Sequence, residues 1–124
     1  MSFGADLLAE ARTLSNAISS SATRRRTVIG RAYYAAYHEL LGYAITQGYS
    51  PAGRSVHAQL RDWLQLHGNP DVRRAGDIME QMRKLRVDAD YKPQISISIQ
   101  DARDALENAG EIIEEIALDL ADAP

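Results

Sequence analysis

The chain has no cysteine. Neither a disulfide framework nor a thiolate metal site can form, and the absence agrees with a reducing compartment. The stretch MSFGADLLAEARTLS has neither the basic flank nor the unbroken apolar run of a signal peptide. No apolar run approaches the roughly 20 residues needed to cross a bilayer, so a soluble, cytoplasmic protein without a membrane partner is expected. Internal repeats and low-complexity tracts are also missing. A net charge of −3 argues against a general nucleic-acid coat, although a local basic patch on an acidic protein still attracts phosphate. With 124 residues, 45% of them hydrophobic, the chain suits a single core, and one domain over residues 1–124 is expected.

What is present is helical periodicity. Leu7, Leu8, Ala11, Leu14 and Ile18 recur at three- and four-residue steps, which predicts a helix from about Gly4 to Ser19 that the serines at 19–21 end. A long second helix is predicted from about Thr23 to Gln47, stopped by Gly48 in a left-handed cap. Ser50, Pro51 and Gly53 make a connector, and Ser55 is placed as N-cap of a third helix carrying Val56, Leu60, Trp63, Leu64 and His67 and closed by Gly68. Asn69 and Pro70 open the fourth helix. Its apolar face is Ala75, Ile78, Met79, Met82, Leu85 and Ala89, and Pro93 follows its end. QISISI at 94–99 alternates like a strand but has no partner in the chain, so an extended connector is expected. Ser98 and Asp101 form a capping box for the last helix. There Ile99, Ala102, Leu106, Ala109, Ile113, Ile116 and Leu120 alternate by three and four, which suits a bundle seam or a dimer seam. Glu107, Glu111, Glu114, Glu115 and Asp119 make its outside acidic. The fold class is therefore all-α, an antiparallel up-and-down bundle of about five helices.

The second helix carries the most informative residues. Ile29, Tyr33, Ala36, Tyr37, Leu40 and Ala44 form its core face, with Tyr33 and Tyr37 as packing residues. Arg24, Arg31 and His38, seven residues apart, line the opposite stripe together with the small Ala35 and Gly42, a candidate pocket wall. Tyr34 lies at the seam, with its ring half-buried and its hydroxyl free. Arg24, Arg25 and Arg26 stand where the helix dipole prefers acids, so they invite a phosphate or acidic partner unless they are simply solvated. On the fourth helix, Arg83, Arg86 and Asp90 border the core face and Tyr91 follows. Arg86 and Asp90 have the spacing of an intrahelical ion pair. His57 and His67 share no carboxylate at ligand spacing, so no metal site and no cofactor are expected.

RAYYAAYH at 31–38, SVHAQL at 55–60 and LRVDADY at 85–91 occur in the order seen in prokaryotic HEPN domains, and the chain resembles that family over about residues 24–118. The resemblance implies a helical bundle, usually a homodimer, with a polar cleft where helices meet. It also implies RNA or nucleotide as ligand. The family includes metal-independent endoribonucleases, often toxins paired with a small nucleotidyltransferase, and non-catalytic binders. The ribonucleases carry an arginine followed four to six residues later by a histidine. Here the late helix offers Arg86, Asp90 and Tyr91 without that histidine, while Arg31 and His38 meet the spacing on the earlier helix. Metal-independent cleavage needs a base for the 2′-hydroxyl, an acid for the leaving oxygen and a cation for the charge on phosphorus. Arg31 and His38 are thus the candidate catalytic pair, with Tyr34, Arg83, Arg86, Asp90 and Tyr91 as candidate substrate-binding residues. The alternative reading of His38 is a packing histidine, and that of Arg86, Asp90 and Tyr91 a structural network. A non-catalytic partner of a nucleotidyltransferase and a plain helical dimer are the rival functions.

Overall fold

The computed structural model describes residues 2–19, 21–53 and 55–121, with the side chains of Ala17 and Ala121 excepted. Five α-helices follow in order, α1 (Phe3–Leu14), α2 (Ala22–Thr46), α3 (Val56–His67), α4 (Pro70–Tyr91) and α5 (Ile99–Ala121), with a 3-10 turn over Ser15–Ala17. The described residues contain no strand, so QISISI is a connector, pinned by buried Ile97.

Most helix ends obey their local chemistry. Asn69 accepts from the Val72 N–H at 2.9 Å with Pro70 in the first turn. Ser98 and Asp101 exchange reciprocal hydrogen bonds, both 2.9 Å. Gly48 has φ 102°, the left-handed conformation that ends α2. Two ends differ from expectation. The α-helical part of α1 stops at Leu14, where the Ser15 hydroxyl donates to the Arg12 carbonyl at 2.6 Å and the chain tightens into the 3-10 turn. Ser20, one of the serines expected to end this helix, lies outside the described residues. Ser55 precedes α3 as expected, yet its side chain makes no capping hydrogen bond, and its φ of 58° is left-handed.

The architecture is set by α2, which packs against α1, α3, α4 and α5. Its buried residues are not confined to one face. Val28, Ile29, Ala32, Tyr33, Ala35, Ala36, Tyr37, Leu40, Tyr43 and Ala44 are all buried, and so is Glu39. This corrects the expected open stripe, because Ala35 is covered by α1. At Gly4 a Cβ would come within 2.7 Å of the Ala35 carbonyl and 2.6 Å of Glu39 Oε2. Only glycine permits that approach. Ser2 seals the crossing, accepting from the Ala5 N–H and donating to Glu39 at 2.6 Å.

Two of the three arginines at the start of α2 are engaged by backbone carbonyls rather than simply solvated. Arg25 donates to the carbonyls of Ile18 and Ile97 at 2.8 and 2.9 Å. Arg26 reaches the C-terminus of α4, donating to the carbonyls of Ala89 at 2.9 Å, Asp88 at 3.2 Å and Ile95. The Ala89 carbonyl is one that the end of α4 leaves without a backbone partner, the Asp88 carbonyl also accepts from the Lys92 N–H, and a cation at this helix end suits the dipole. In α5 the core face is Ala102, Ala105, Ala109, Ile112 and Ile116. Leu106 and Ile113, expected on the seam, are only partly buried at its margin, and Leu120 is 41% exposed. The three-four alternation therefore serves this bundle's own core, rotated from the expected face.

Two glycine substitutions should move stability in opposite directions. Gly4→Ala forces α1 off a backbone carbonyl and is expected to cost about 1–3 kcal/mol. Gly42→Ala meets nothing within 4 Å in a helix interior and is expected to stabilise by up to about 1 kcal/mol. Urea denaturation checks both, and equal midpoints for the two variants would refute the close-approach account.

Candidate functional site

The polar side chains that the bundle does bring together lie where α2, α3 and α4 meet. Tyr34 of α2 accepts from Arg86 Nη2 of α4 at 2.8 Å, so its hydroxyl is engaged rather than free. The Arg86 guanidinium lies 5.1 Å from the Tyr34 ring centre and 5.6 Å from that of Tyr91, within cation–π range. The expected Arg86–Asp90 pair forms at 2.9 Å, although Nε is buried and not aligned for a hydrogen bond. Across from Asp90 stands Gly30, where a Cβ would sit 3.7 Å from Asp90 Oδ1. One turn earlier, Arg83 donates Nε and Nη2 to the two carboxylate oxygens of Glu80 at 3.0 and 2.8 Å. This bidentate bond holds the Glu80 carboxyl below its ordinary range.

Two histidines complete the cluster. His38 sits in an aromatic box, 4.8 Å from Phe3, 5.1 Å from Tyr37 and 6.4 Å from Tyr34 between ring centres. Burial lowers its pKa. His57 of α3 packs 4.5 Å from Tyr37 and is hydrogen-bonded through Nδ1 to the hydroxyl of Tyr33. Burial lowers its pKa, and the charges of Arg86 and Arg83 lower it further. Tyr33 is fully buried, and that burial pushes its phenol well above the ordinary tyrosine value. A cavity of about 460 Å³ opens beside these groups, lined by Ser55, His57, Ala58, Arg61, Glu80 and Arg83. A smaller cavity of about 170 Å³ lies between α4 and α5. Asp71, Glu111, Glu114 and Glu115 outnumber Arg74 in its lining, so it repels the anions that the first attracts.

Against this geometry a family model for the HEPN domain matches residues 7–119. The chain belongs to the HEPN domain family. No curated protein and no solved structure matches it significantly. Membership supports an RNA- or nucleotide-related role, and the all-helical architecture is the one this family implies. No helix among the described residues is long and apolar enough to cross a membrane.

Of the residues singled out in the sequence, this HEPN domain brings Tyr34, Asp90 and Tyr91 against Arg86 and His38 against Tyr34, while Arg83 lines the larger cavity. Arg31 does not join them. It pairs with Glu10 of α1 at 3.1 Å, and both side chains are about half exposed. Sequence spacing put Arg31 and His38 on one stripe, but α1 lies across that stripe. The residues that were missed are His57, Tyr33 as its partner, Arg61 and Glu80. A signal for His57 existed, since it lies three residues before Leu60 and seven before Leu64, on the buried side of α3.

The histidines make a pH prediction. Their folded pKa values lie below the unfolded value near 6.5, so the unfolded chain binds more protons as pH falls through that value. Stability contributed by the neutral imidazoles is complete above 6.5 and is lost as pH falls toward the folded pKa values. Urea midpoints at pH 7.5 and 5.5 should differ, and the difference should shrink in the double variant His38→Gln, His57→Gln. An unchanged difference would show that other groups carry it.

Proposed function

We propose that the chain binds RNA or a nucleotide in the α2–α3–α4 groove as a homodimeric, cytoplasmic protein of a toxin–antitoxin or phage-defence module, with metal-independent endoribonuclease activity weak or absent. The observation that carries the reading is the cavity where His57, Arg61 and Arg83 meet, next to the cluster in which the Arg86 guanidinium lies against the rings of Tyr34 and Tyr91. Cations there contact phosphate, and the 67%-exposed Tyr91 ring offers a stacking surface for a base. The substrate-binding roles go to Tyr34, Arg83, Arg86, Asp90 and Tyr91. His38 remains the candidate for proton transfer, with Arg31 as an outlying phosphate contact.

Cleavage needs an acid and a base that change protonation near working pH. The late helix supplies neither, and a histidine whose pKa is lowered by burial is mostly neutral there, which makes it a poor acid. This favours binding over cleavage, and with it the alternative in which the protein is the non-catalytic partner of a small nucleotidyltransferase.

Fluorescence anisotropy with a labelled oligoribonucleotide at two salt concentrations tests the groove. Arg83→Gln and Arg61→Gln should each weaken binding several-fold and flatten its salt dependence, whereas Lys84→Gln on the exposed face should not. Equal effects at all three positions would indicate nonspecific attraction. Brisk RNA cleavage that survives chelator and disappears in folded His38→Ala would instead establish the enzyme. Light scattering that gives only the 13.7 kDa monomer at micromolar concentration would refute the dimer.

A further inference from the structure

We infer that His57 is a hydrogen-bond donor to a phosphate oxygen, held in its Nε2–H form by the hydroxyl of Tyr33, and that it recognises ligand without transferring a proton. Tyr33 is fully buried on α2, and its hydroxyl is bonded to His57 Nδ1. Were Nδ1 the donor, the phenolic hydrogen would be buried without an acceptor, which costs about 1–3 kcal/mol. With the phenol as donor, both groups are satisfied. Nδ1 then carries its lone pair toward Tyr33, and the hydrogen of the neutral ring resides on Nε2.

His57 lines the 460 Å³ cavity with Arg61 and Arg83, and with Nδ1 engaged by Tyr33, Nε2 is the ring nitrogen left to meet a ligand there. The groups facing this ring favour the neutral form. From α4 come the cations Arg83 and Arg86, opposed by the single acid Glu80, and from α2 come His38, Tyr37 and Tyr33. An anion entering the cavity would meet an N–H of His57 beside the Arg83 guanidinium, of whose five donors the Glu80 bridge engages two. A neutral imidazole with its only free nitrogen already protonated has no lone pair with which to take a 2′-hydroxyl proton. Tyr33 is thus a positioning residue for His57.

This inference rests on the groove being a phosphate site, and two measurements separate the two ideas. The first needs no ligand. Nitrogen-resolved NMR of the imidazoles at pH 7.5 should show His57 protonated on Nε2 with an unprotonated, hydrogen-bonded Nδ1. In Tyr33→Phe, with helicity unchanged by circular dichroism, the two tautomers should mix. Protonation on Nδ1 in the wild type overturns the inference whatever binds in the groove.

The second measurement is titration with inorganic phosphate, AMP and an oligoribonucleotide. His57→Gln keeps an N–H donor near the position of Nε2 and should bind within about threefold of wild type, while His57→Ala should lose about tenfold, roughly one hydrogen bond. Equal loss in both variants overturns the donor role. Loss in His57→Ala but not in His57→Gln supports the donor role, and whichever of AMP and the oligoribonucleotide shows that contrast with the tighter binding identifies the source of the phosphate. If none of the three probes binds wild type, the phosphate part falls together with the groove reading, and the tautomer result stands by itself.

Discussion

The constraint on which the rest depends is the burial of α2 on nearly every side. Where the four other helices cover α2, its polar groups cannot stay in water, so the buried ones need partners within the bundle. Arg25 and Arg26 find theirs in loop and helix-end carbonyls, Glu39 in Ser2, Tyr34 in Arg86 and Tyr33 in His57. The same bonds tie α2 to α1, to α4, to α3 and to the connector before α5. Polar satisfaction and tertiary assembly are one problem here, and a single set of contacts solves it.

That solution also creates the groove. Tyr33 and Tyr34 are consecutive on α2 and so point in different directions, one toward α3 and the other toward α4. His57 and Arg86 are thereby each held to α2 by a tyrosine hydroxyl, with the Arg86 guanidinium also 5.9 Å from the Tyr33 ring centre. Arg83, one turn from Arg86, is locked to Glu80 and does not compete for Tyr34. The result is a pair of guanidiniums held by fixed acceptors, preorganised for an anion because little side-chain freedom is left to lose on binding.

Local chemistry was legible in the sequence wherever a few adjacent residues decide it. Asn69–Pro70, the Ser98–Asp101 box and Gly48 each specify a helix end without reference to the rest of the chain, and the five-helix bundle follows from their spacing. What could not be read was how many neighbours each helix has. A helical wheel for α2 divides it into a core face and an open face, and Ala35 falls on the open one. Only the crossing of α1 at Gly4 reveals that the small residue marks contact with a helix rather than with a ligand. The same ignorance of neighbours put Leu106 and Ile113 on the core line of α5 in place of Ala105 and Ile112, since helical repeats shifted by one position differ only in what they face. Ser55 was recognised as preceding α3, but its left-handed backbone depends on the path of a connector that no local rule prescribes.

The site was half legible for a related reason. Arg83, Arg86 and Asp90 could be grouped in the sequence because residues three and four apart on a helix share a face. His57 was weighed only as a metal ligand, because its partners Tyr33, Tyr37, Arg83 and Arg86 lie 20 or more residues away on other helices. Its significance comes from the conjunction of a buried phenol on one side and two guanidiniums on the other. The phenol fixes which nitrogen carries the hydrogen, and the guanidiniums disfavour a second proton. A histidine so placed is suited to recognising an anion and unsuited to exchanging protons with it. Without a histidine on the late helix, the electrostatics of this groove therefore favour holding a phosphate over cutting next to one.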